Sequence, residues 1–265
     1  MTSDLLALTI PLAVLIMVGM PAALCLCAVR RLEVAWIVVG IGAAAFVASQ
    51  AVRQPTLYLL TQLFNWGWLP RPGKEWLRAL DIAILCVSAG LFEECARYVA
   101  FRRFLPEAKS WRHGVAFGLG HGGVESVFVG LLVTLTFLNM SIFRVVDPGS
   151  LPGITPQEKA DLARQIAAYW KSDWYLPLLA ALERLFAIVF HVTASLMVLR
   201  SVVGRRIDWL LAAIGLHAGF NAAAVGASLR WGPIAAEAVI GAGALACAII
   251  ALRMKHALCA ADTPA

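Results

Sequence analysis

Apolar residues run along this chain in long blocks separated by short polar patches. The blocks lie at roughly 5–29, 34–52, 79–101, 112–143, 174–199, 208–229 and 232–252. Each is close to or above the ~20 residues that a helix needs to cross a bilayer. The pattern predicts an all-α, polytopic transmembrane bundle of about seven spans. The stretch "TLYLLTQLFNWGWLP" (56–70) is apolar and rich in Trp but short. It reads as an interfacial or re-entrant segment, with an eighth span as the alternative. The fourth block is longer than one span needs, so it is tilted or broken near its glycines. The loop 144–173 balances acids against bases. Within it, Thr155 before Pro156 supplies an N-cap with proline at the first helical position, which predicts a short amphipathic helix from Pro156 to Trp170.

Charge adds orientation. Basic residues cluster at Arg30–Arg31, at Arg102, Arg103, Lys109 and Arg112, at Arg200, Arg205 and Arg206, and at Arg253 and Lys255. These fall at every second loop of a seven-span chain, which predicts an outside N-terminus and an inside C-terminus. The first block lacks a basic segment before it and is too long for a cleaved signal peptide, so it reads as a retained span. No repeat or low-complexity tract stands out. The chain reads as one transmembrane domain, 1–265, with a catalytic core at about 79–229 and an extramembrane loop at 144–173.

Composition agrees. The chain is 61% hydrophobic and only 14% charged, with mean hydropathy +0.79; soluble domains are about 25% charged. The net charge of +6 sits at span ends, which suits an anionic lipid face and not nucleic acid. High alanine content and compact loops suggest a bacterial cytoplasmic (inner) membrane. The six cysteines form no C-x-x-C pair and read as small buried hydrophobes.

Ionisable residues inside spans suggest function by default. The third block carries Glu93, Glu94 and Arg97. The fourth carries His121 and Glu125, the fifth Glu183, Arg184 and His191, and the sixth His217 and Asn221. Counted from the basic flanks at ~1.5 Å per residue, Glu93, His121, His191 and His217 fall at one depth, roughly 14 Å from the inner edge. Glu125 and Arg184 lie one to two turns further out. There a Glu125–Arg184 or Glu183–Arg184 pair would neutralise charge between helices. Arg97 can bridge to either glutamate within one turn, which leaves the other carboxylate needing a partner. Each histidine also has a structural reading as a hydrogen-bonded packing residue, and Asn221 one as a helix–helix hydrogen bond.

Such a set supports two routes to peptide hydrolysis. In one, His121, His217 and His191 or a glutamate hold a metal such as zinc. In the other, Glu93 and His121 deprotonate a water, while His217 and Asn221 stabilise the oxyanion. H-E-x-x-H is absent, and neither Ser126 nor Ser195 sits in a nucleophile elbow. A proton- or ion-coupled transporter or channel built on the same Glu/His cluster is the alternative, and it expects a polar path reaching the outer face. A non-catalytic membrane scaffold is a third reading.

"EECAR" (93–97), "FGLGH" (117–121) and "HAGFN" (217–221) resemble the three motifs of the CAAX-processing and bacteriocin-protection superfamily of membrane proteases. "GLFEECARY", "GHGGVES", "ER" before a His-bearing helix, and "GLHAGFN" are similar to the pattern of the YhfC-type intramembrane metalloproteases. The resemblance covers roughly 85–225. It implies that Glu93, with Glu94 beside it, and His121 activate water and that His217 and Asn221 stabilise the oxyanion. It also implies an inward-facing site and a membrane-associated protein or peptide substrate. Arg97 comes three residues after Glu94 where the superfamily commonly has four, and His191 has no counterpart in the three motifs.

Overall fold

A computed structural model describes residues 2–153 and 155–259. Met1, Ile154 and 260–265, including the C-terminus expected inside, lie outside the described residues. The described residues form eight α-helices and one 3-10 turn, with no strand. The helices are α1 (Thr2–Leu32), α2 (Trp36–Asn65), α3 (Lys74–Arg103), α4 (Trp111–Ile142), α5 (Pro156–Trp170), α6 (Leu176–Gly204), α7 (Asp208–Trp231) and α8 (Pro233–Cys259). All but α5 are long. Six of them, α1, α2, α4, α6, α7 and α8, are long and apolar enough to cross a membrane. The seventh expected span, α3, has the length but carries charges along much of it, from Lys74 to Arg103. It packs against α2, α6 and α7 as part of the bundle.

Two expectations change in detail. The 56–70 segment is not a separate element: residues 56–65 continue α2 through Pro55. Neighbouring helices let a membrane helix tolerate such a proline. The fourth block is one helix, unbroken at its glycines. The short amphipathic helix stands as expected, with a reciprocal capping box between Thr155 and Glu158.

The glycines of α4 set how closely the bundle closes. A Cβ on Gly120 would lie 2.0 Å from the Val39 carbonyl oxygen of α2, and one on Gly42 of α2 would lie 2.2 Å from that of Phe117. The two backbones therefore touch, the close approach that small residues permit between apolar helices. Side chains then tie helices to backbones across the bundle. Ser126 Oγ donates to the Met17 carbonyl at 2.7 Å, Trp111 Nε1 to Ala251 at 2.8 Å, and Thr193 Oγ to Cys247 at 2.9 Å.

The basic helix ends gather at one end of the bundle. Arg112, at the start of α4, donates to the carbonyl of Leu32 at the end of α1. Lys255 near the end of α8 lies over the Trp111 ring, and Arg200 near the end of α6 over Trp209 at the start of α7. This half of the core is apolar and tight, with the Phe101 and Phe117 rings tilted against each other at 4.3 Å between centroids. At the opposite end Trp170 of α5 donates to the Met140 carbonyl.

Candidate active site and metal centre

Four helices each send chemistry to one point. Glu93, Glu94 and Arg97 come from α3, His121 from α4, His191 from α6 and His217 from α7, and all six are buried. The shared depth expected from the sequence is thus a spatial cluster. Glu93 Oε2 lies 3.1 Å from His121 Nε2 and 4.0 Å from His217 Nε2. One ligating atom each from Glu93, His121 and His191 fall within 4.8 Å of one another. Two donors on a tetrahedral ion with bonds of about 2.0–2.1 Å sit ~3.3 Å apart, so the Glu93–His121 spacing suits a shared ion. His121 Nδ1 is buried without a hydrogen-bond partner among the described residues. Phe46 meets the His121 ring edge-on, and Phe190 packs against both His191 and His217.

Two carboxylates orient two of the imidazoles. Glu94 Oε1 faces His217 Nδ1 at 2.7 Å, and Glu125 Oε2 contacts His191 Nε2. An ionised carboxylate only accepts, so the facing ring nitrogen carries the hydrogen and the opposite nitrogen of the neutral ring keeps its lone pair. His217 Nε2 is then bare on the side of Glu93. His191 Nδ1 is bare and accepts from Arg97 Nη2 at 2.6 Å. Arg97 also pairs with Glu94 and stands 3.7 Å from Glu93 Oε2. Its guanidinium holds a cation between an imidazole lone pair and a carboxylate, the charge pattern that a metal ion would find. The shifted arginine therefore reaches Glu94 first and leaves Glu93 to His121.

Arg184 makes both expected pairs, with Glu125 at 3.0 Å and with Glu183. Glu125 thus links Arg184 to His191, which joins an apparent neutralising pair to the site. Asn221 lines the same cavity; its side chain hydrogen-bonds to no described residue of the cluster. Ser126 is turned to α1, and Ser195 Oγ is buried without a partner, so neither offers a nucleophile.

Glu93, His191 and His217 form the floor of a cavity of about 440 Å³, with His121, Glu94 and Arg97 fully buried behind them. On each helix its lining steps away from the basic end: from Phe46 to Arg53 on α2, Glu93 to Leu85 on α3, His191 to Glu183 on α6 and His217 to Val225 on α7. Exposure rises the same way, from 5% at Glu93 and 3% at His217 to 51% at Leu85 and 37% at Val225. The mouth therefore leads away from the basic helix ends.

Two polar residues in this cavity escaped the sequence reading. Gln50 Nε2 donates to Glu93 Oε1 at 3.2 Å, and Gln50 Oε1 accepts from Arg53 and Gln54. A span ending at 52 made these residues look like a flank. Their spacing at 50, 53 and 54 marks one helix face and was the available signal.

Apolar helices enclosing carboxylates and imidazoles at a cavity floor define a membrane-embedded site equipped for metal binding or acid–base work. The chain belongs to the YhfC intramembrane metalloprotease family, which it matches over residues 13–240. It is 35% identical over 146 residues to the uncharacterized membrane protein YhfC of Bacillus subtilis (strain 168), which covers 53% of this chain and 54% of that protein. The chain therefore spans about half the length of the curated relative it matches. No solved structure matches it. With its apolar helices, this makes it an integral, multi-pass membrane protein.

Proposed function

We propose that this protein is an intramembrane endopeptidase that hydrolyses a peptide bond in a membrane-associated substrate, with its site in a bacterial cytoplasmic membrane. The observation that carries the reading is the buried Glu93, His121 and His191 group, two of whose members line a cavity of about 440 Å³. The donor set fits a metal. It offers one oxygen and two imidazole nitrogens, as catalytic zinc sites do; the His191 Nδ1 lone pair, which meets Arg97 here, would turn to the ion. His217, with its lone pair toward Glu93, stands ready as a further donor. A zinc ion held there would polarise the scissile carbonyl and ease deprotonation of water.

The chain's own residues do the remaining work. In the metal-free route Glu93 Oε2 takes the proton of the attacking water and His121 beside it shares that load, as a carboxylate–imidazole pair can. Glu94 and Glu125 hold the His217 and His191 rings in one tautomer, the role of carboxylates behind ligating histidines. Asn221, which lines the cavity without a side-chain partner among the described residues, would donate its side-chain amide to the developing oxyanion. Arg97 supplies the counter-charge to Glu94, which faces His217. Arg184 does the same for Glu125.

A transporter needs a route at both ends. The cavity runs polar toward the end away from the basic residues, as one half of such a route would, but Phe101 and Phe117 pack the half nearer the basic helix ends, which favours a site with one mouth. The test is cleavage of membrane-protein substrates by purified protein, with Glu93→Ala and His121→Ala beside wild type. Loss of cleavage in both is expected; full retention in both refutes the mechanism.

A further inference from the structure

Among the described residues, Arg53 is the cation of this cavity that pairs with no acid. Arg97 and Arg184 are each paired with two glutamates. Arg53 meets neutral acceptors only: Nε donates to Ser88 Oγ at 3.1 Å, Nη1 to Gln50 Oε1 at 3.3 Å and Nη2 to the Leu85 carbonyl at 3.0 Å. A guanidinium carries five N–H groups, so two remain after these three. The side chain is half-buried on the cavity wall, in a setting where a charge without a counter-ion is costly. Its three anchors fix the planar fork in advance, which lowers the entropy lost when a partner binds.

We infer that Arg53 is a substrate-recognition residue that receives a carboxylate of the peptide entering the cavity. The inference rests on the protease reading and adds a substrate class to it. The planar fork matches a carboxylate in geometry. Gln50 connects the two functions: it accepts from Arg53 and donates to Glu93. A carboxylate on Arg53 is therefore held one hydrogen-bonded side chain away from the residue that handles water. The carboxylate could be the chain terminus or an Asp or Glu side chain close to the scissile bond. Either source satisfies the same fork, and the two separate experimentally.

The test uses full-length protein in nanodiscs and one peptide in four forms. Two differ only at the end, free acid against amide, and two only inside, Asp against Asn. Binding is measured to Glu93→Gln protein, with and without Arg53→Gln, and cleavage to the otherwise native protein, with and without the same change. A charge-assisted fork predicts that the acid of one pair binds about 10- to 100-fold tighter than its neutral form. Arg53→Gln should remove most of that ratio. Arg53→Glu should reverse it in favour of a Lys-bearing peptide. A variant that only loosens the fold weakens all four forms alike and leaves the ratio unchanged. Preference in the terminal pair assigns the chain end, and preference in the internal pair assigns an acidic side chain. Equal binding of acid and neutral forms, a ratio that survives Arg53→Gln, or no peptide binding overturns the inference. Acid-selective binding without cleavage by the native protein would instead refute the protease reading and leave the Arg53 site standing.

Discussion

Replacing Arg97 by Met tests whether the buried charges form a matched set. Arg97 and Glu94 are both fully buried, and they pair with each other. Methionine keeps much of the apolar stem and removes the charge. Glu94 is then left with His217 alone, and Glu93 loses the nearby guanidinium at 3.7 Å. Breaking a buried pair from one side costs about 3–5 kcal/mol, because the remaining charge is uncompensated. For a chain of this size that corresponds to a fall in Tm of about 6–20 °C. Glu94→Gln alone should destabilise similarly, since it strands Arg97. The double variant Glu94→Gln/Arg97→Met removes both charges, and its loss should be well below the sum of the two. The assay is thermal unfolding of detergent-purified protein, followed by size-exclusion elution, arranged as a double-mutant cycle. Additive losses, or an Arg97→Met protein within about 1 kcal/mol of wild type, would refute the pairing argument.

Other consequences can be checked directly. Gly120→Ala puts a methyl 2.0 Å from the Val39 carbonyl oxygen; overpacking of this kind costs about 1–3 kcal/mol, and an unchanged Tm would contradict the close α2–α4 contact. Glu125→Gln should weaken zinc binding by about 10- to 100-fold through the His191 ring, read by chelator competition; unaltered affinity would remove Glu125 from the site. The Thr155 backbone and hydroxyl hold the Glu158 carboxyl below the usual glutamate range. A depressed folded pKa means that this contribution to α5 is present above the ordinary glutamate value and lost as pH falls through the depressed one. Protection factors in α5, taken relative to the intrinsic exchange rate at each pH, should therefore fall on acidification, and Glu158→Gln should abolish that fall.

Much of the architecture was legible because membrane helices declare themselves by length and apolarity. The starts of α4, α6, α7 and α8 fall within a residue or two of the expected blocks. The depth count worked because rise per residue is constant and the basic flanks mark one plane, so Glu93, His121, His191 and His217 could be aligned without knowing which helices touch. What it could not provide was rotation about each helix axis. Glu125 looked like a partner for Arg184 alone, yet the face of α4 that carries it also turns toward His191. Gln50 and Arg53 were hidden for a different reason. Hydropathy ends a span at the first polar face, although α2 continues to Asn65 with that face turned into the cavity. The course of the cavity was illegible too, since it depends on side-chain size along four helices at once.

The central claim is that Glu93, His121 and His191 hold a metal at the cavity floor. Its most direct measurement is the zinc content of purified full-length protein after equilibration with zinc and removal of loosely bound ion. Wild type, His121→Ala and His191→Ala are compared, with folding of each verified by elution and Tm. The account predicts about one tightly bound zinc per wild-type chain, the stoichiometry of a single closed donor set, and its loss from both folded variants. A wild-type protein that retains no zinc, or histidine variants that keep it, would contradict the account.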